Sequence, residues 1–271
     1  MIRALVLALC LCTTCAANPP VPEEFWNRWQ TENFIILSYN QKQGEYLSKN
    51  IEKMKSWVFA RWGLPDVEFS GECKIACVPT KDLMKELYRL DHSAIYNKRK
   101  PNGKIESTTI FLILDKPPAC VIPIGLTEVC LNELCTRNIK IGFWAHRGMA
   151  ILNGTLPQIR QELGSLKTKA MPSQRLFSMS ESDWRALPEE TQILFDQQAA
   201  TTCLLLRKEF GQSKFLTFVL TDNKEKDLKE IFGFSSERKF DEALERYITN
   251  LSEDINKGKT PDSYLQITAS K

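Results

Sequence analysis

Histidine is almost missing from this sequence: His92 and His146 are the only two in 271 residues. That scarcity removes most acid–base chemistry near neutral pH, because imidazole is the side chain that titrates there unaided. It also leaves no material for a metal site built on several imidazoles. No Gly-x-Ser-x-Gly turn is present, which excludes the usual serine-hydrolase elbow. Beyond the first dozen residues, no apolar run reaches the roughly 20 residues that a membrane-spanning helix needs. Charge of one sign is never concentrated: 36 Lys+Arg against 33 Asp+Glu leave +3 with no long block of either. Nothing therefore suggests a nucleic-acid surface or an acidic tail. The short basic stretch Lys98-Arg99-Lys100, followed by Pro101-Asn102-Gly103, reads as a solvated turn. Internal repeats and low-complexity linkers are also lacking.

The N-terminus is of a different kind. Met1, Ile2 and Arg3 are followed by the unbroken apolar run Ala4 to Cys12, and Cys15-Ala16-Ala17 offers small residues for a signal peptidase. Residues 1–17 read as a secretory signal, too short to span a bilayer. This predicts a secreted, periplasmic or cell-envelope protein. A lipid anchor at Cys15 is the alternative reading, although Cys12-Thr13-Thr14 fits the expected lipoprotein pattern poorly. Six cysteines follow the signal: Cys73, Cys77, Cys120, Cys130, Cys135 and Cys203. Export permits disulfides, but four strand steps of about 3.3 Å put Cys73 and Cys77 beyond bridging distance of each other. Cys130 and Cys135 on one helix are similarly unsuited, and an unbridged cysteine behaves as a small buried thiol.

Apolar spacing predicts strands at Phe34 to Leu37, Val67 to Val78 and Ile105 to Leu114, with helices at Gln43 to Trp62 and from Thr80 to Leu90. After Pro117-Pro118 the pattern turns helical, with segments from Leu126, Gly142, Leu156, Glu189, Ser213, Lys226 and Ser236. The fold class is α+β, with a mixed β-sheet lobe at 18–117, an all-helical lobe at 118–255 and a polar tail at 256–271. Trp57, Trp62, Trp144 and Trp184 lie at helical spacing and read as core in preference to a ligand groove. Asn153-Gly154-Thr155 and Asn250-Leu251-Ser252 match glycosylation acceptors, which matters only in a eukaryotic source.

The stretch from Leu126 to Gly154 carries two phrases with recognisable spacing, Thr127-Glu128-Val129-Cys130-Leu131 and Trp144-Ala145-His146-Arg147-Gly148-Met149-Ala150. A zincin peptidase places two histidines four apart on one helix face, beside a glutamate that deprotonates the metal-bound water. From the strand at Phe34 to the helix at Ser236–Ser252, the chain resembles the peptidase MA-like gluzincin domain. That family's motif pair is His-Glu-x-x-His followed by Trp-x-x-Glu-Gly-x-Ala. Phe195 to Gly211, Lys214-Phe215 and Leu228 to Leu251 also resemble its helical lobe.

The resemblance implies a zincin-like fold with a cleft between lobes, and a general-base position kept at Glu128. It places the former metal ligands at Thr127, Leu131 and Arg147, none of which can replace the original group; a guanidinium puts a permanent positive charge where Zn²⁺ would sit. His146 does not aim at the same spot as Arg147, since neighbours on a helix diverge by about 100°. His92 reads as a helix-end residue.

The expectation is thus an exported pseudo-metallopeptidase with no cofactor, acting as a binding or structural envelope protein toward an unknown peptide or envelope partner. Its candidate cleft residues are Glu128, Trp144, His146 and Arg147. The rival is a hydrolase using an unrecognised non-zinc site. Two structural expectations go with the first reading: Leu131 is buried, and Arg147 stands in for the lost ion beside Glu128.

Overall fold

The computed structural model describes residues 26–90, 94–100, 105–113, 118–137, 139–221 and 225–259. The expected signal segment 1–17 with Cys15, His92 and the residues beyond 259 lie outside the described residues. The chain divides into two compact units, Met1–Ala60 with Pro65–Asn138, and Arg61–Leu64 with Ile139–Lys271.

The first unit holds one five-stranded sheet made of β1 (Asn27–Gln30), β2 (Phe34–Ser38), β3 (Glu72–Val78), β4 (Ala94–Arg99) and β5 (Ile105–Ile113). Their spatial order is β1-β2-β3-β5-β4. The three central strands run parallel and the two outer ones antiparallel. Parallel strands need crossover helices, and α1 (Gln41–Trp62) and α2 (Lys81–Tyr88) follow β2 and β3 accordingly. β2 is buried along its whole length, as an inner strand covered on both faces must be.

Register sorts the faces. Leu37, Ala76 and Phe111 lie side by side, as do Ile36, Ile75 and Ile110 on the alternate parity. The first set joins Met84 and Tyr88 of α2 in one apolar cluster. The second set meets α3 (Pro118–Thr136), in which a Cβ on Gly125 would lie 3.5 Å from Ile110. Proline at the first turn suits the start of α3, where its missing N–H costs nothing. Because α3 packs on β5 and β4, it goes with the sheet, and the division falls after residue 138 where sequence reading puts the change of lobe near 117.

Two expectations need correcting. Lys98-Arg99 is the end of an edge strand rather than a turn; β4 pairs with β5 through backbone groups, so its side chains carry little pattern. Trp57 is 41% exposed, not core, because it lies on the solvent face of α1, whereas Trp62, Trp144 and Trp184 are buried.

The second unit is helical: α4 (Phe143–Leu152), α5 (Leu156–Ser165), α6 (Ser173–Ser178), α7 (Glu181–Arg185), α8 (Glu189–Phe210), α9 (Gln212–Val219), α10 (Glu225–Phe232) and α11 (Glu237–Asn256). It also takes the last two residues of α1. Trp62 packs on Phe215 with ring centroids 5.8 Å apart, under the Arg207 guanidinium at 5.0 Å, and Arg61 Nη2 donates to the Leu152 carbonyl at 2.9 Å. Trp144, Phe177, Phe218 and Phe240 form a chain of ring contacts.

α4 and α8 are buried along most of their lengths and pack together. A Cβ on Gly148 would lie 2.6 Å from both the Ala199 carbonyl oxygen and Cys203 Sγ. Backbone cannot retreat from such contact as a flexible side-chain tip can. Gly148→Ala should therefore destabilise the protein by about 1–3 kcal/mol through overpacking, against the gain that alanine normally brings inside a helix. Chemical denaturation of the variant checks this; equal or greater stability would refute the close approach.

Candidate functional site

The candidate residues singled out in the sequence fall in both units. In the first, α3 is apolar around most of its circumference and is buried accordingly. Thr127 and Leu131 are fully buried, and Glu128 is 2% exposed. The Thr127 hydroxyl donates to the Pro123 carbonyl at 2.6 Å. One turn on, the buried carboxylate of Glu133 accepts from Ser70 Oγ at 3.1 Å and Arg137 Nε at 3.5 Å.

In the second unit, α4 carries Trp144, His146 and Arg147. Trp144 is fully buried against Phe177 and Phe218, so it supports the helical core. Arg147 is 4% exposed and is held in bidentate fashion by Asp196 of α8, Nε to Oδ1 at 2.9 Å and Nη2 to Oδ2 at 2.6 Å. The Trp184 ring of α7 lies 4.8 Å from the guanidinium carbon. Ser180 caps α7 and fixes where that ring begins its path, its hydroxyl accepting from the Asp183 N–H. Two parallel charge-assisted bonds and a stacked ring suit a planar guanidinium better than any other cation.

Burial pushes the Asp196 carboxyl above its usual range, and the Arg147 charge and hydrogen bonds pull back against that. Glu162 of α5 is also raised, first by burial, with the Asp196 charge adding to it. The neighbouring glutamines of α8 are structural. Gln198 accepts from the Ala170 and Met171 N–H groups at 2.7 and 2.9 Å and donates to the Met171 carbonyl at 2.8 Å. Gln197 Nε2 donates to Ser165 Oγ at 2.8 Å.

His146, 7% exposed, has its pKa lowered to about 4 by burial first and the Arg147 charge second. It is neutral at physiological pH. Among the described residues, no three His, Cys, Asp or Glu side chains form a group that could hold a metal ion. Cys73, Cys77, Cys130 and Cys203 are buried thiols, and burial pushes Cys77 up to about 12. Such thiols are poor nucleophiles. Asn153 is buried at the end of α4, whereas Asn250 is exposed on α11.

Sequence reasoning found Arg147 but not Asp196 or Trp184 as its companions. The available signal was Asp196-Gln197-Gln198, a polar run just before the buried stretch Ala199 to Leu206 of one helix.

Removing one partner of a buried pair costs more than removing both. Arg147→Ala should lose about 3–5 kcal/mol by stranding the Asp196 carboxylate, and Arg147→Met with Asp196→Leu should recover part of that. A double-mutant cycle by urea unfolding with coupling indistinguishable from zero would show that the pair contributes nothing.

The His146 shift has a definite sign. The folded pKa of about 4 lies below the unfolded 6.5, so between them the unfolded chain binds a proton that the folded chain refuses. Stability is therefore full above that window and falls as pH drops through it, by on the order of 3 kcal/mol. The raised carboxyls of Glu162 and Asp196 act in the opposite sense, so the readout is a difference. His146→Gln should show a flatter stability profile than the wild type across that range, and parallel profiles would overturn the assignment.

No protein-family model matches this chain, and no curated protein matches it.

Proposed function

We infer that the protein is a non-catalytic, exported protein on a gluzincin-like scaffold, working as a binding or structural component of the cell envelope. One observation carries this reading: the residue at the third-ligand position of the resemblance, Arg147, is buried and locked by two hydrogen bonds to Asp196. A fixed cation in that place opposes a second, divalent one, and no rotamer change frees it without stranding a carboxylate. The two histidine positions support the same reading. A leucine at 131 has no donor atom for a metal, and a fully buried, neutral threonine hydroxyl at 127 is no substitute for an imidazole.

A charged hollow on the second unit, about 460 Å³, is lined by Lys169, Arg238, Asp241, Glu242, Glu245 and Arg246. Its charges already answer one another, with Lys169 Nζ 2.9 Å from Asp241. Such a hollow is a solvated surface rather than an apolar pocket with a few convergent polar groups.

Purified protein incubated with Zn²⁺ and desalted should retain far less than one equivalent, and Thr127→His with Leu131→His should show no peptide hydrolysis while Arg147 remains. Stoichiometric zinc in the wild type, or turnover by the double variant, would sink this reading.

A further inference from the structure

The solvent face of α1 is unusual in what it exposes. At 3.6 residues per turn, Lys42, Tyr46, Lys49, Lys53 and Trp57 fall within an arc of about 80° and along about 22 Å of helix. All five are exposed, Tyr46 at 45% and Trp57 at 41%. The opposite face carries the buried Leu47, Ile51 and Val58, so the stripe is fixed outward by packing. None of the three lysines forms an ion pair among the described residues. The carboxylates Glu45 and Glu52 of the same helix lie outside that arc, Glu45 accepting from Gln41 at 2.9 Å, and Glu52 from Thr31 Oγ1 and both nitrogens of Asn33 at 2.5 to 2.8 Å.

We propose that this face of α1 docks on an anionic phospholipid surface. The charge is complementary to acidic headgroups, and each lysine can lay its methylene stem along the interface while its ammonium reaches phosphate. Tyrosine and tryptophan are the side chains whose apolar body and polar tip suit the headgroup level. Here one stands in each half of the stripe. A peptide partner usually enters a groove, a pocket or a sheet edge, and one side of a helix whose other face is packed inward offers a convex ridge instead. The contact is peripheral, since the opposite face of α1 is packed inward through Leu47, Ile51 and Val58. It is independent of the pseudo-peptidase reading.

The test is co-sedimentation of the full chain with vesicles of phosphatidylcholine alone, or with about a third phosphatidylglycerol. The readout is the increment due to anionic lipid, to which the apolar run at residues 4–12 contributes equally in every variant. Neutralising Lys42, Lys49 and Lys53 together to glutamine should cost about fivefold in partitioning per lysine. Neutralising Lys85, Lys167 and Lys229, also exposed and equal in charge, should leave most of the increment. Tyr46→Ser with Trp57→Ser should weaken anionic-vesicle binding further, in protein whose circular dichroism shows it folded. An increment unaffected by the first triple variant overturns the proposal. So does binding of soluble polyglutamate that needs the lysines but not the aromatics, which would reassign the face to an acidic protein.

Discussion

The approach of α4 to α8 governs the helical unit. At Gly148 the two helices come close enough that even a methyl group would meet backbone, and so tight a seam excludes water from whatever lies beside it. Arg147 is the next residue along, and an unanswered guanidinium there would cost several kcal/mol. Asp196 answers it from α8, one turn before Ala199, whose carbonyl faces Gly148. Packing and charge are thus solved by the same short pieces of two helices. Sliding one helix along the other would break the two short hydrogen bonds of the pair.

Trp144, Gly148 and Ala150 each contribute to packing in α4, through a fully buried ring against two phenylalanines, a backbone close approach and a small buried side chain respectively.

The parts legible in the sequence are those where burial repeats along one element. β2 and β5 carry long apolar runs, and α1 shows its inward stripe through Leu47, Ile51 and Val58, so all three are readable. β1 and β4 lie at the sheet edges, half solvated and joined through backbone groups that no side-chain pattern records. α6 and α7 are six and five residues long, too short for a period to repeat. Trp57 misleads because large aromatics are usually core, and nothing local marks one that faces solvent. Asp196 is invisible for another reason: a carboxylate in a helix looks like surface until its partner, 49 positions away, is placed beside it.

One further consequence comes from four residues in the middle of the chain. The helical unit is completed by Arg61 to Leu64, with Trp62 seated on Phe215 and Arg61 holding the Leu152 carbonyl. Neither unit is thus a continuous stretch of sequence. Recombination that moved residues 139 onward into another gene would carry the helices but leave behind the tryptophan that covers one of their phenylalanines. The two halves are bound to a shared inheritance, since a single crossover cannot part them cleanly.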